Sequence, residues 1–486
     1  ASHPRALLET GLAGRALDPV GITQMASGGH PHPPLTALAE IRQVPAAHLV
    51  EGGPEGVAAP RRYWRLSPRP AYPRHSDPRE LAEETRRLTE QAVRRRLPSS
   101  GPPAAHLSGG LDSTPLALLA ARICAAEGRT LRAYSFAEPP REGMESPAGE
   151  LGAARASVAA TPGLMLFDVP SPGLAALALG GHEPETGLPL HPAEPLLALL
   201  ADAATAGSRV ILSGWGGDEA VTSYGRGAHA ELFLSGAWGL LARELRAWAR
   251  ENSMSFAGAF QRRVLRQAVP QRLREAGRAT LRRVLGRPDP ARFLRPELRA
   301  HCAPGAPPVG PSTRANRLAA LENPWLAGRF AGLSLRAARF GASYAFPMID
   351  ADLLDHVLRV PGNMMVRGGV PRRHARDAWE GVIPDELRLR RHKRTPYPLE
   401  PLRMAEGRAA VEAALALLRD DPRVARHLDV EAIRAHLAAQ PSAAEMREAF
   451  AAAGASGTTP PLAVDHVTAV DTAFFLAAQP GPVASR

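Results

Sequence analysis

Short apolar runs and longer helical stretches alternate along the middle of this chain. Runs at residues 104–107, 131–136, 164–169 and 209–212 are brief and largely apolar, the pattern of strands covered on both faces. Between them lie Ala- and Leu-rich stretches with helical spacing. That alternation predicts an α/β fold built on a parallel, doubly wound sheet. Ahead of the first run, Ser76 or Asp77 is placed to cap a helix of about twenty residues. After the last, residues 228–300 and 318–455 read mostly as helix, so helical additions to the sheet are expected.

The flanks read differently. Residues 1–66 offer strand-like runs at Ile41–Val44, His48–Glu51 and Arg61–Arg65, which predicts a β-rich first unit. Residues 67–77 form a proline-rich linker. The main domain is then expected over residues 78–455. Pro, Gly and Ser at 303–315 predict a mobile loop. Ser456–Pro461 is polar and breaks the helical pattern, so residues 456–486 are expected to be an extension that docks weakly. There is no internal repeat.

Composition narrows the class. A chain of 486 residues, 45% hydrophobic, is that of a globular protein with two or three domains. Its two cysteines, Cys124 and Cys302, have no metal spacing, and a reduced, cytoplasmic setting is expected. No apolar run approaches the roughly 18–20 residues of a membrane span, and no basic-then-apolar leader opens the chain at Ala1-Ser2-His3. A net charge of +11 suits an acidic ligand such as ATP or an acidic peptide. Nucleic acid is not the expected partner. The arginines are dispersed, Arg94–Arg96 and Arg388–Arg391 being the tightest runs, and no finger spacing or basic tail occurs.

The candidate chemistry lies where two apolar runs end. Leu107 leads into Ser108-Gly109-Gly110-Leu111-Asp112-Ser113, and a helical stretch follows. Two glycines let the backbone approach a ligand closely. Loop and first-turn N–H groups, with the Ser108 and Ser113 hydroxyls, make an anion cradle. Asp112 would repel a bare phosphate, so a Mg2+ shared between Asp112 and phosphate oxygens is expected. A Walker loop would carry lysine before its final hydroxyl residue, and this loop carries Asp112. Val210-Ile211-Leu212 leads likewise into Ser213-Gly214-Trp215-Gly216-Gly217-Asp218-Glu219. Ligands of open α/β sheets bind at the carboxyl ends of strands, so Asp112 and Asp218 form a natural Mg2+ pair.

The first loop resembles the pyrophosphatase loop of adenylating enzymes that split ATP between its α- and β-phosphates. Both loops, in this order, resemble the synthetase domain of the asparagine synthetase superfamily. So do Leu131–Phe136, Gly341–Asp355 (similar to the family's Pro-Phe-Leu-Asp region) and Arg372–Lys393, with Arg376, Ile383-Pro384 and Lys393. The resemblance spans about residues 78–400. It implies an ATP-pyrophosphatase-type sheet with ATP and Mg2+. It assigns nucleotide contacts to Leu107, Ser108, Gly109, Gly110, Asp112, Ser113, Ser135, Phe136, Ser213, Gly214, Trp215, Gly216 and Gly217. It gives catalytic roles to Lys393, Asp218, Glu219 and Arg376. Residues 1–66 resemble the end of a glutaminase-type domain without its cysteine nucleophile, since the first cysteine is Cys124. A structural unit is expected there.

Departures from the family pattern point to a subgroup. Trp215 stands where asparagine synthetases carry an acid and β-lactam synthetases a tyrosine. An indole N–H only donates, so Trp215 is no base. Ser343 replaces the family's glutamate. Gly214–Glu219 followed by Tyr224-Gly225-Arg226-Gly227 resembles the lasso peptide cyclases, as do Glu145–Gly149 and residues 159–163. The resemblance implies adenylation of a peptide Asp or Glu side chain, then attack by the peptide's N-terminal amine to close a macrolactam. The implied partners are the precursor peptide, a leader peptidase and a leader-recognition protein. Glu219, Asp350 and Asp352 are candidate bases, and Tyr224 and Arg226 candidates to orient the peptide. Alternatives are an asparagine or β-lactam synthetase-like ligase, a non-catalytic scaffold and a tRNA-modifying adenylase.

Overall fold

A computed structural model describes residues 2–66, 69–137, 150–159, 161–170, 194–269, 273, 277, 291–302, 309–390, 400–454 and 467–479. Its centre is a five-stranded sheet of β1 (Ala104–His106), β2 (Leu131–Ala137), β3 (Leu164–Pro170), β4 (Val210–Leu212) and β5 (Ser343–Ala345). The order is β3-β2-β1-β4-β5, and every pair is parallel. The first four strands lie where the apolar runs predict them. The chain builds outward from β1 to β3, then returns to lay β4 on the other side of β1. The switch point of the sheet therefore lies between β1 and β4, where a crevice opens at the carboxyl ends.

Apolar faces hold this sheet between helices. The helix Ser113–Ala126 follows β1 and is buried along nearly its whole length. It shares a core with Leu107, Leu131, Ala133, Leu212 and the fully buried Trp379. The helix Pro78–Arg94 begins where expected, with Asp77 Oδ1 accepting from the Arg79 N–H at 2.8 Å. Its Thr85 hydroxyl meets His374 Nε2 at 2.7 Å and His356 Nε2 at 3.0 Å, and Tyr72 of the linker reaches His356 Nδ1 at 3.1 Å.

The first 66 residues depart from the β-rich expectation. Helices Pro4–Glu9 and Pro19–Gly28 come first, Ile41–Val44 forms no strand, and only two-residue ladders follow. These pair His48–Leu49 with Arg61–Arg62, and Gly52–Gly53 with Gly56–Val57. Pro45 and the glycines at 52, 53 and 56 keep the ladders short. The stronger signal was Asp18-Pro19, a capping residue followed by proline at the first helical position. Ile22 and Met25 of that helix enter one apolar core with Leu415, Leu428, Ile433, Val470 and Phe475.

The C-terminal region also differs. The helix Val467–Ala477 is not weakly docked. Seven of its residues are buried, and the Thr468 hydroxyl donates to the Ala26 carbonyl at 2.8 Å. Part of the expected mobile loop at 303–315 is helix cap and helix. Residues 303–308 lie outside the described residues, and Ser312 caps the helix Thr313–Leu321. Among the described residues, no helix is long and apolar enough to cross a membrane.

Phe475, 1% exposed, ties the last helix to the helix Pro19–Gly28. Phe475→Ala is expected to destabilise the fold by about 3–5 kcal/mol, the range for truncating a buried phenylalanine. Urea denaturation of the two proteins checks this.

Candidate active site

The two predicted loops touch each other, and glycines make the contact possible. A Cβ at Gly214 would lie 2.6 Å from the Ser113 backbone nitrogen and 2.7 Å from the Asp112 carbonyl carbon. A Cβ at Gly217 would meet Asp112 Oδ1 at 2.4 Å. Only residues without side chains allow this approach. In the first loop, Ser113 Oγ accepts from the Ser108 N–H at 3.0 Å and lies 2.9 Å from Ser108 Oγ. The hydroxyls expected to bind an anion thus brace the cradle. Gly109 has φ +76°, and its carbonyl accepts from Arg390 Nη2 at 2.8 Å.

Asp112 and Asp218 are brought together as expected, and a third residue joins them. Arg372 contacts Asp218 through Nη2, and its Nη1 stands 3.6 Å from Asp112 Oδ2. Thr222 Oγ1 donates to Asp112 Oδ1. The Arg372 guanidinium also lies 3.9 Å from the centroid of the Tyr224 ring. Arg372 has a left-handed backbone (φ 59°) at the N-cap of the helix Arg373–Ala378.

Arg376, expected to be catalytic, spends its donors on backbone carbonyls: its Nε donates to that of Pro371 and its Nη1 to that of Arg388. Burial, with Arg372 and Arg373 nearby, pushes it down to about 10, so it stays charged at neutral pH. It is a fastener beneath the site. Lys393 lies outside the described residues; Arg390, three positions earlier, is the last one described before it.

Asp350 and Asp352, candidate bases, are held by arginines. Asp350 accepts from the Asp352 N–H at 3.1 Å as a helix cap and pairs with Arg96 at 2.8 Å. Asp352 pairs with Arg95 at 2.8 Å. Ser343 is not at the site either. It begins β5, exposed, with its N–H on the Arg209 carbonyl at 2.9 Å, while the crevice lies at the other end of the strands. Tyr344 reaches inward instead, its hydroxyl 2.8 Å from His106 Nε2. Burial pushes His106 down to about 4 and the Tyr344 hydroxyl upward, so both are neutral at pH 7.

Two of the expected nucleotide contacts, Ser135 and Phe136, lie on β2. Ser135 is 1% exposed and its Oγ has no hydrogen-bond partner among the described residues. A buried orphan hydroxyl on a strand beside the crevice suits a polar ligand group. The Phe136 ring packs edge-on against His106 at 5.3 Å. Trp215 lies under the Arg329 guanidinium at 4.7 Å and beside Trp325 at 5.7 Å. Trp325 lines an open-sided cavity of about 270 Å³ with Asp218, Glu219, Tyr224, Arg226, Ala319, Ala320 and Leu326 among its walls.

Two carboxylates are the donor set Mg2+ takes when phosphates and water supply the rest. Among the described residues there is no group of three or more His, Cys, Asp or Glu side chains placed to hold a metal. Sequence reasoning missed Arg372, Thr222, His106 and Tyr344. For Arg372 the signal was present: it opens the segment that carries Arg376.

The asparagine synthase family model matches residues 84–456. No curated protein matches the chain.

Gly217→Ala should lower pyrophosphate release about a hundredfold or more, the scale of a misplaced reacting group. Gly239→Ala, with nothing within 4 Å of its added Cβ, is the control and should match wild type. Stability also carries a pH signature. Burial pushes His374 down to about 3. The unfolded chain therefore binds more protons below about pH 6.5, and stability is full above that pH and falls toward pH 3. Urea midpoints at pH 7 and 4.5 should converge in His374→Gln relative to wild type.

Proposed function

The chain belongs to the asparagine synthase family, and we propose that it closes a macrolactam in a short peptide. At the level the family fixes, it is an ATP-dependent, AMP-forming amide ligase. In our reading, an Asp or Glu side chain of the peptide attacks the α-phosphate. The bond from that phosphorus to the bridging oxygen breaks and pyrophosphate leaves. The peptide's N-terminal amine then attacks the acyl carbon, AMP leaves, and the amine gives up a proton.

The residues divide this work. Asp112 and Asp218 would hold Mg2+, which when bound supplies charge neutralisation at the phosphates. N–H groups of the loops meet the charge that develops on phosphate oxygens. Lys393 is assigned to the departing pyrophosphate and the tetrahedral oxyanion, as a compact mobile charge. No base is assigned. Proximity within a pre-folded peptide supplies several kcal/mol of the second step.

The cavity beside Asp218 and Glu219 is the observation that carries the peptide reading. Its Ala319, Ala320, Trp325 and Leu326 wall is apolar, and it is open at one side. A peptide flank fits such a wall better than a free zwitterion does. Trp215 supports Trp325 from behind. Precursor peptide, leader peptidase and leader-recognition protein are the proposed partners, and the cytoplasm the proposed setting. One observation favours a small-molecule ligase instead. Glu219 and Arg226 share the cavity, and together they could hold the ammonium and carboxylate of a free amino acid.

The discriminating experiment supplies ATP and Mg2+ with either a leaderless core peptide from a neighbouring precursor gene or free aspartate with ammonia or glutamine. A peptide product lighter by one water, with AMP and pyrophosphate, is expected. Asparagine with unchanged peptide would overturn the cyclase reading. Trp325→Ala should raise KM for the peptide about tenfold, the effect of about 1.4 kcal/mol, and leave KM for ATP unchanged. Lys393→Ala should lower kcat about a hundredfold or more with little change in KM for ATP.

A further inference from the structure

We propose that Arg372 is the resident counter-cation of the metal carboxylates, and that Mg2+ enters only together with ATP. The inference rests on reading this crevice as the ATP site. Its starting point is the guanidinium shared by Asp218 and Asp112. Half of the negative charge a divalent cation needs is already offset, by a cation that cannot leave the protein.

Free Mg2+ would have to displace it. Arg372 is 5% exposed and always charged. Displacement would leave its guanidinium against a divalent ion, with the Tyr224 ring as the neighbouring acceptor of positive charge. An uncompensated buried charge is strongly unfavourable, so the bare metal competes poorly.

ATP reverses the balance. Its phosphates bring more negative charge than the metal brings positive. Guanidinium binds phosphate oxygens through paired donors. Arg372 Nε is buried and has no acceptor among the described residues, a donor left over for such an oxygen. The base of the side chain is fixed, since His374 two residues on is held by Thr85 at 2.7 Å. The guanidinium can therefore exchange carboxylates for phosphate while its backbone stays in place. Arg372 is on this account a positioning residue. It holds Asp112 and Asp218 together without metal and yields them to the metal when ATP arrives.

Equilibrium dialysis of Mn2+ against the full chain tests this, with and without α,β-methylene-ATP. Wild type should retain Mn2+ well only with the nucleotide. Arg372→Ala and Arg372→Gln should bind Mn2+ without nucleotide at least about tenfold more tightly than wild type, a coupling of ordinary size. Arg372→Lys should behave as wild type, and adding Asp112→Asn to Arg372→Ala should remove the gain. Wild type that binds Mn2+ alone as tightly as Arg372→Ala overturns the inference. If circular dichroism shows the variants unfolded, wild type decides: tight Mn2+ binding without nucleotide overturns, and nucleotide-dependent binding supports. Nucleotide that fails to bind with or without Mn2+ overturns the ATP reading itself, and this inference with it.

Discussion

The contact between two glycine loops sets the geometry on which the rest of the site depends. β1 and β4 are neighbours in the sheet, so their carboxyl ends stand one strand spacing apart, about 4.8 Å. Loops leaving adjacent strands would normally splay to make room for side chains. Here Gly214 lies against the Asp112–Ser113 backbone and Gly217 against the Asp112 carboxylate. The second loop can then bring Asp218 to the charge that Asp112 already carries. The buried helix Ser113–Ala126 anchors the first loop, and β5 extends the sheet beyond the second. Neither loop can retreat without breaking a core.

That proximity creates an electrostatic demand. Two carboxylates in a partly buried crevice repel one another unless a cation or donors intervene. The fold supplies Thr222 as a donor to Asp112 and Arg372 as a cation between both. The same demand is what a Mg2+–phosphate unit meets. The crevice is thus complementary to positive charge.

Legibility in the sequence followed the range of the interaction. β1 to β4 could be read because strands covered on both faces carry continuous apolar runs. β5 could not: it has three residues, starts on the exposed Ser343, and buries only Tyr344. Asp112 and Asp218 were legible because each sits inside a contiguous loop. Arg372 was not, because its partner Asp218 lies 154 residues away and its approach depends on a left-handed backbone. The resemblance singled out Arg376 in the same segment. Arg376 and Arg372 are four apart, a spacing that shares a face within a helix. Arg372 precedes its helix, so the two side chains part. The helix Pro19–Gly28 was lost for another reason. Its capping signal was local and clear, but the partner that makes it worth forming lies among the C-terminal helices.

The basic excess of this chain finds its explanation in the same contacts. Many arginines are spent on backbone carbonyls rather than on an exposed patch. Arg317 donates to Val357 and Val360 at the end of the helix Ala351–Arg359. Arg122 donates to Gly381 and Val382, and Arg86 to Glu380. A guanidinium there satisfies carbonyls that helix ends and turns leave open, and its charge suits a helix C-terminus. Such an arginine has one fixed partner set and no reason to move. Arg372 differs in kind. Its partners are ionised side chains and an aromatic face, each of which can be exchanged for a stronger anion. The distinction lies in what the guanidinium touches, which net charge cannot report and which separates a fastener from a participant.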